Sequence, residues 1–234
     1  MKKGFDAPFG ILGLLVGTVF MFIGAFNAQS LFFWIAAFLM LFFSFTYFHT
    51  TWYGKYKIVK KAIRELQLKG DEQALDIGTG HGLVLLEIAK YLKAPGKVIG
   101  IDIWSSKDQF QNSQAAAEQN IAQAGASDVA AVQTGNMLEL PFPDNSFDLV
   151  TSSLAIHNVK NKKEREQALA EANRVLKPGG QLLIVDLIFG PEYQKTLAAT
   201  NQFENINVKS VGYDGWCGGP WMTTTKLTAT KKAQ

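Results

Sequence analysis

The sequence predicts an α/β fold: a doubly wound, mostly parallel, seven-stranded sheet with an antiparallel edge, preceded by two transmembrane helices. Three observations lead there. Ala7 to Gly54 contains no Asp, Glu, Lys or Arg and holds 11 of the chain's 17 phenylalanines. Beyond it, short apolar runs alternate with stretches of helical periodicity, the pattern of a parallel sheet covered on both faces. Three of those runs carry strong punctuation: ALDIGTGHG at 74–82, VIGIDIW at 98–104 and LKPGG at 176–180.

The uncharged stretch divides into two apolar runs, Phe9 to Phe26 and Leu31 to Phe48, each about 18 residues long. A helix needs ~20 residues to cross a bilayer core and satisfies its own backbone hydrogen bonds there. Asn27 to Ser30 reads as a polar turn between two antiparallel helices. Lys2 and Lys3 precede the pair; Lys55, Lys57, Lys60, Lys61 and Arg64 follow it with no acid among them. The positive-inside rule then places both ends in the cytoplasm and the turn outside. Trp34, Trp52 and Tyr53 are candidates for the membrane interfaces. Gly10, Gly13, Gly17 and Gly24 fall on one helix face, where small residues permit close helix approach or merely reflect the frequency of glycine in membrane helices. A cleaved signal peptide is the competing reading. Bulky Phe26 near the cleavage position and the second apolar run both favour an uncleaved hairpin. The expected division is a membrane anchor over 1–54 and a second domain over 55–234.

In that second domain, Lys55 to Leu68 has an apolar stripe, Ile58, Ala62, Ile63 and Leu66, and reads as a helix on the membrane surface or against the first strand. Strands are expected at 73–77, 97–103, 129–133, 147–154, 181–188, 206–211 and 223–230. Helices are expected at 83–92, 109–124, 162–176 and 192–203. The last two strands have no helix between them, hence the antiparallel edge. Pro178, Gly179 and Gly180 read as a helix stop, and Asp148 as a structural acid at a strand start.

The glycines at 78, 80 and 82 follow an apolar strand, and Asp76 stands two residues before the first of them. Glycine permits positive φ and close backbone approach to a ligand. An acid directly before the turn repels a pyrophosphate and suits a ligand carrying an ammonium or sulfonium group. This argues against a nicotinamide dinucleotide. Asp102, ending the next strand, is placed to accept hydrogen bonds from ribose hydroxyls.

At these residues the chain resembles the class I S-adenosylmethionine-dependent methyltransferases, in particular the branch acting on small molecules, with a Rossmann-like domain. The resemblance spans about Glu72 to Ile188. It implies that Asp76, Gly78, Thr79, Gly80 and Gly82 wrap the amino-acid part of S-adenosyl-L-methionine. Asp102 would then hold the ribose, with Ile103 and Trp104 near the adenine. GNMLELPFPDNSFDLV at 135–150 and RVLKPGGQLLIVDL at 174–187 resemble the segments leading into the fourth and fifth strands. After the third strand the family often has an acid facing the adenine amino group. This chain has Asn136, followed by Met137. The asparagine side-chain carbonyl still accepts a hydrogen bond.

SSLAIHNV at 152–159 puts His157 just past the fourth strand, at the crevice where acceptors bind in such sheets. An imidazole there is either a general base for a thiol or hydroxyl or a packing residue. His81 reads as pocket lining, and Asp186 faces the acceptor or caps a turn. The loop GYDGWCGGPWM at 212–222 is placed to cover the acceptor. A membrane hairpin beside the site favours a lipophilic acceptor: a thiol, a quinol or a lipid. The formal net charge of +3, without a basic stripe, argues against nucleic acid. The single Cys217 excludes an intrachain disulfide, and no residue spacing suits a metal. The expected protein is therefore a membrane-anchored methyltransferase facing the cytoplasm. The alternative is a non-catalytic membrane-bound cofactor sensor or scaffold of the same fold. The oligomeric state is left open.

Overall fold

The computed structural model describes residues 8–233; the expected flanking Lys2 and Lys3 lie outside the described residues. Two helices come first, α1 (Pro8–Ala28) and α2 (Leu31–His49). The reversal between them is tighter than expected, because Asn27 and Ala28 stay helical and Gln29 turns the chain at φ 45°. Gly10, Gly17 and Gly24 of α1 face Tyr47, Met40 and Phe33 of α2. Both series step by seven residues, the repeat of a left-handed helix pair. A methyl group on Gly17 would lie 2.4 Å from Met40 Cε, so glycine sets the helix separation there. Gly13 has no neighbour within 4 Å and is not part of the seam. The hydroxyl oxygens of Thr18 and Ser44 lie 3.4 Å apart within it. The outer surface is apolar throughout: Phe9, Phe20, Phe26, Leu31 and Phe32 are 65–78% exposed. Both helices are long and apolar enough to cross a membrane.

The expected boundary near Gly54 is not a linker. The chain stays helical from Leu31 to Glu65, passing through one π-helical turn at Thr50–Gly54 into α3 (Lys55–Glu65). A single π turn shifts the faces of the helix on either side of it, and such turns are frequent at functional sites. Beyond it, Ile58, Val59, Ala62 and Ile63 are buried against the sheet domain. Thus α3 serves as the first covering helix rather than lying loose on a membrane surface, and it ends at Glu65, three residues before the expected end.

The sheet is built from β1 (Gln73–Ile77), β2 (Lys97–Asp102), β3 (Ala130–Thr134), β4 (Phe147–Ser153), β5 (Leu176–Leu187), β6 (Phe203–Ser210) and β7 (Thr224–Lys231). Its order is β3-β2-β1-β4-β5-β7-β6. The first five strands are parallel, and β7 runs antiparallel to both β5 and β6, which gives the antiparallel edge. The helices are α4 (Leu83–Ala89), α5 (Gln114–Gln123), α6 (Lys162–Val175) and α7 (Gly190–Ala199). Period-two alternation sends Leu75 and Ile77 of β1 to one face and Ala74 to the other. The first face packs on Ala168, Leu169 and Ala172 of α6 and on Tyr193 and Leu197 of α7. The second packs on α3, on Leu85, Leu86 and Ile88 of α4, and on Ile121 of α5.

Several expected boundaries move for identifiable reasons. The helix expected from Gln109 begins at Gln114, because Ser113 caps it by accepting from Ala116 N, while 104–112 forms a loop. The helix expected to start at Glu192 starts at Gly190, with Pro191 in its first turn, and ends at Ala199 rather than Phe203. Pro178 to Gly180 do follow the helix stop at Val175, yet they lie inside β5. Leu176 pairs with Phe147 and Gln181 with Leu149, so the intervening residues bulge out of the ladder. Asp148 is structural: it accepts from Gln73 N at 2.9 Å and pairs with Lys177 at 2.8 Å.

Among the described residues, none before Ile58 belongs to either buried core. A chain lacking Met1 to Tyr53 is therefore expected to fold and to bind the cofactor. Thermal melting with and without cofactor tests this, and failure to fold would place the first 53 residues inside the folding unit.

Candidate cofactor and acceptor site

Parallel strands of this order diverge between β1 and β4, and the crevice at their carboxyl ends is where ligands bind. A cavity of about 350 Å³ lies there. Its lining includes Asp76, Gly78, Thr79, Gly80, Asp102, Ile103, Asn136, Met137 and His157.

The glycine turn is shaped by φ values of 71°, 51° and 85° at Gly78, Gly80 and Gly82, a region that side chains disfavour. A methyl group on Gly78 would lie 2.3 Å from Ala155 Cβ, which fixes how closely the turn lies against the end of β4. Gly78 N and Thr79 N donate to Ile101 O, and Gly82 forms the left-handed cap of α4. A second contact was not foreseen: a methyl group on Gly100 would lie 2.7 Å from both Thr79 Oγ1 and Leu85 Cδ1. That glycine lets the turn and α4 settle onto β2.

Asp76 is 1% exposed. Its Oδ1 accepts from Thr151 Oγ1 at 2.8 Å. Among the described residues, Oδ2 and the buried Thr79 hydroxyl make no hydrogen bond within 3.5 Å, though that hydroxyl and Leu85 N lie near enough to the carboxyl to act on it. Burial pushes the Asp76 carboxyl up to about 6, although the nearby Thr79 and Thr151 hydroxyls favour its charged form. Burying a carboxylate with an open lone pair is costly. The arrangement suits a cationic ligand group that enters the cavity and meets that oxygen.

Asp102 accepts from Gly80 N at 2.8 Å, Trp104 N at 2.6 Å and Asn112 Nδ2 at 3.1 Å. It thus braces the turn as well as offering its remaining capacity to a ligand. Asp102→Ala is expected to weaken cofactor binding by about one to two decades, the worth of about 1.5–3 kcal/mol for a hydrogen bond to a charged group. Titration calorimetry with S-adenosylhomocysteine reads this, and unchanged affinity would mean that the ribose is held elsewhere.

Ile103 is 63% exposed and lines the cavity, with Asn136 and Met137 across from it. Asn136 Oδ1 already accepts from Leu138 N at 3.0 Å, which fixes its rotamer and leaves one lone pair. Trp104 is not brought to the cavity. Its Nε1 donates to Thr134 Oγ1 at 2.8 Å and its backbone sits at φ 60°, so the ring lies along the end of β3. In its place the loop supplies Lys107, Asp108, Gln109 and Asn112. Gln109 Oε1 accepts from His81 N at 2.9 Å and also meets His81 Nδ1, fastening the loop over the turn. Sequence periodicity hid Gln109 and Asn112, because it read a helix from Gln109; Lys107 and Asp108 carried no signal.

On the other side stands His157, in a 3-10 turn at Ile156–Asn158. Its Nδ1 lies 2.5 Å from Asp186 Oδ1, and its backbone N donates to Asp186 Oδ2 at 3.0 Å. Leu187 N and the Tyr193 hydroxyl also donate to Asp186, at 2.9 and 3.0 Å. Asp186 is 1% exposed, so these donors replace its hydration. Two backbone N–H groups and a hydroxyl thus aim their hydrogens at this one carboxyl, which acts as the acceptor for all three. The hydrogen on the facing ring nitrogen is then on Nδ1, and the acceptor lone pair is on Nε2. Tyr193 is raised above the ordinary tyrosine range by burial and by the Asp186 charge, so it remains a donor. Arg165 of α6, paired in two-pronged fashion with Glu192 of α7 at 2.8 and 3.1 Å, holds the helix that carries Tyr193.

The remaining wall comes from the hairpin. Tyr47 of α2, Thr50 and Thr51 of the π turn, and Lys55 and Tyr56 of α3 line the cavity, as do Cys217 and Met222 of the 212–222 loop. The hairpin's contribution was not foreseen. Its sequence trace is the polar triplet His49-Thr50-Thr51 directly after an apolar run.

The family described as methyltransferase domain matches residues 75–184. The demethylmenaquinone methyltransferase of Lactiplantibacillus plantarum is 35% identical over 127 residues, 54% of this chain and 50% of that protein. The chain spans about half the length of the curated relatives it matches. Among solved structures, a methyltransferase from Aquifex aeolicus aligns with TM-score 0.57 and 22% identity, covering 74% of this chain and 89% of that one. The cyclase SpnF aligns with TM-score 0.64 and 20% identity, covering 76% and 82%. The structural likeness establishes the fold, and a cyclase among the neighbours shows that the fold does not fix the reaction. With its glycine turn, an acid near the end of each of β1 and β2, and its sheet order, the domain at 75–184 belongs to the class I S-adenosylmethionine-dependent methyltransferases.

Proposed function

We propose that the protein is a membrane-anchored methyltransferase that methylates a small lipophilic acceptor of the quinol type, with its catalytic domain on the cytoplasmic face. The observation that carries this reading is the shared cavity. The glycine turn with Asp76, the His157–Asp186 pair and the base of the apolar hairpin all open onto the same space.

The residues fit S-adenosylmethionine. The open oxygen of Asp76 suits the ammonium group, the bare backbone of Gly78 and Gly80 admits close approach, and Asp102 suits the ribose. Ile103, Asn136 and Met137 are placed for the adenine. When bound, S-adenosylmethionine supplies a methyl group on a sulfonium, which departs as a neutral thioether. The chain's task is to orient the acceptor, exclude water and move a proton. His157 Nε2 accepts the proton of an acceptor hydroxyl, and the Asp186 charge stabilises the imidazolium that results. The ionised ring oxygen makes the adjacent ring carbon nucleophilic. After methylation the His157 imidazolium returns its proton to the ring oxygen, and the methylated carbon gives up its hydrogen as a proton to water, so that the aromatic quinol is restored with one net proton released.

A quinol acceptor is supported by relatives named demethylmenaquinone methyltransferase and ubiquinone/menaquinone biosynthesis C-methyltransferase. It is supported also by the apolar hairpin, which holds the site next to lipid. Lys57, Lys60, Lys61 and Arg64, just beyond the hairpin, support the cytoplasmic orientation. The deciding experiment follows transfer of labelled methyl from S-adenosylmethionine to demethylmenaquinol in detergent or vesicles, beside a thiol and a lipid. Cofactor binding without turnover on any of them would favour the sensor reading. Reporter fusions after Ala28 and at Gln234 should read as external and cytoplasmic respectively.

A further inference from the structure

We propose that the 212–222 loop is a second membrane-inserted element, and that with α2 it frames a sideways opening through which the acceptor enters the cavity from the bilayer. This rests on reading the hairpin as membrane-spanning. The juxtaposition of Trp221 with Phe43 carries it.

The Trp221 ring packs edge-on against Phe43, with centroids 4.8 Å apart. Phe43 lies within the apolar run, six residues before His49 at the end of α2. At 1.5 Å per residue this is about 9 Å up the helix. A helix of 19 residues is about 28 Å long, close to the thickness of the hydrocarbon core. The loop therefore reaches past the membrane boundary to the depth of acyl chains. Despite the Phe43 contact, Trp221 is 63% exposed and Met222 40% exposed. Such exposure at the tip of a loop is unfavourable in water and favourable in lipid.

The loop is fastened to the helix, so the two keep a common depth. The Thr50 hydroxyl donates to Trp216 O at 2.9 Å. Asp214 Oδ1 lies 3.1 Å from His49 Nε2, and its Oδ2 lies 2.8 Å from Lys57 Nζ. Burial alone would raise the Asp214 carboxyl, yet the hydrogen bonds with Lys57 and His49 hold it below the ordinary range. Gly54 permits this approach: a methyl group there would overlap Asp214 O.

The same two segments wall the cavity. Tyr47 and Thr50 face it from the helix, and Cys217 and Met222 from the loop. On the helix side the lining runs from Tyr47, one turn from Phe43, to Lys55 and Tyr56 beside Lys57; the proposed mouth is its Tyr47–Met222 end, next to the Phe43–Trp221 contact. An acceptor dissolved in the bilayer thus has a path to His157 that avoids water, with its tail left among the acyl chains.

Depth can be read without activity. The full chain is placed in phosphatidylcholine vesicles with bromine near the headgroup or deeper along the acyl chain, and tryptophan quenching is compared for wild type, Trp34→Phe and Trp221→Phe. Trp34 packs among Phe22, Phe26 and Phe38 in the hairpin and reports on its insertion. Loss of quenchable signal in both variants is expected. Loss in Trp34→Phe alone overturns the loop's insertion while leaving the hairpin in the membrane. Loss in neither overturns the hairpin reading and this inference with it. Kinetics give a second readout. Trp221→Glu should raise KM for demethylmenaquinol in vesicles about ten-fold or more, while leaving KM for the same ring without its tail unchanged. Equal changes for both would make the loop an ordinary wall of the site. Calorimetry with S-adenosylhomocysteine confirms that the variant is folded.

Discussion

Replacing His157 with alanine is expected to lower turnover by about 10²–10⁴-fold while leaving cofactor affinity nearly unchanged. The structure sharpens this beyond what position alone supports, because Asp186 grips His157 through both the ring Nδ1 and the backbone N. Asp186 acts as a positioning residue. Asp186→Asn should fall between wild type and His157→Ala in kcat, with KM for the acceptor little altered, because it disturbs which ring nitrogen carries the proton. Residues acting as one unit are non-additive, so the double variant should be no slower than His157→Ala alone. Stopped-assay rates on the four proteins provide the cycle. Additive losses would separate the two residues, and full activity of His157→Ala would leave orientation as the main catalytic device. An acceptor already ionised at neutral pH would need no base, so the same measurement reports on acceptor chemistry.

The parts legible in sequence were those with local causes. Glycine at 78, 80 and 82 is dictated by the turn's own φ values, and Asp76, next to last in β1, and Asp102, last in β2, stand where expected. The seven strands and their alternating partners follow from period-two and helical patterning. What escaped depends on contacts between distant segments. Asp186 and His157 are 29 residues apart and meet only because β4 and β5 are neighbours. Trp104 stood in a plausible place, but its indole finds Thr134, 30 residues away. The role of Asp214 requires knowing that a loop between the last two strands returns to a helix 165 residues earlier. The uncharged start of the chain reads as an anchor by composition. Its unbroken passage into α3, and so its place in the wall of the site, is a property of packing.

Asp76→Asn is expected to produce opposite effects on binding and on stability. In the ligand-free protein the Asp76 carboxyl is raised from 3.8 to about 6 by burial. The folded state then binds more protons than the unfolded state between those values, so stability falls as pH rises through that window. At neutral pH this costs about 3 kcal/mol, the free-energy equivalent of that rise. Asparagine removes the charge yet keeps an oxygen for the Thr151 hydroxyl. The variant should therefore melt higher than wild type above about pH 6, by roughly 2–4 °C per kcal/mol regained, with no difference near pH 4. Cofactor binding should move the other way. A buried carboxylate facing an ammonium is worth about 3 kcal/mol or more, so the variant should lose about two decades of affinity at neutral pH. In wild type the cationic ligand must displace the proton below about pH 6, and affinity should fall toward tenfold per unit there; in the variant that dependence should vanish. Calorimetry in buffers of different ionisation enthalpy counts the released proton directly. A wild-type affinity that stays flat from pH 7 to 5 would place the ammonium group on a residue other than Asp76. The buried charge would then have no part in holding the cofactor.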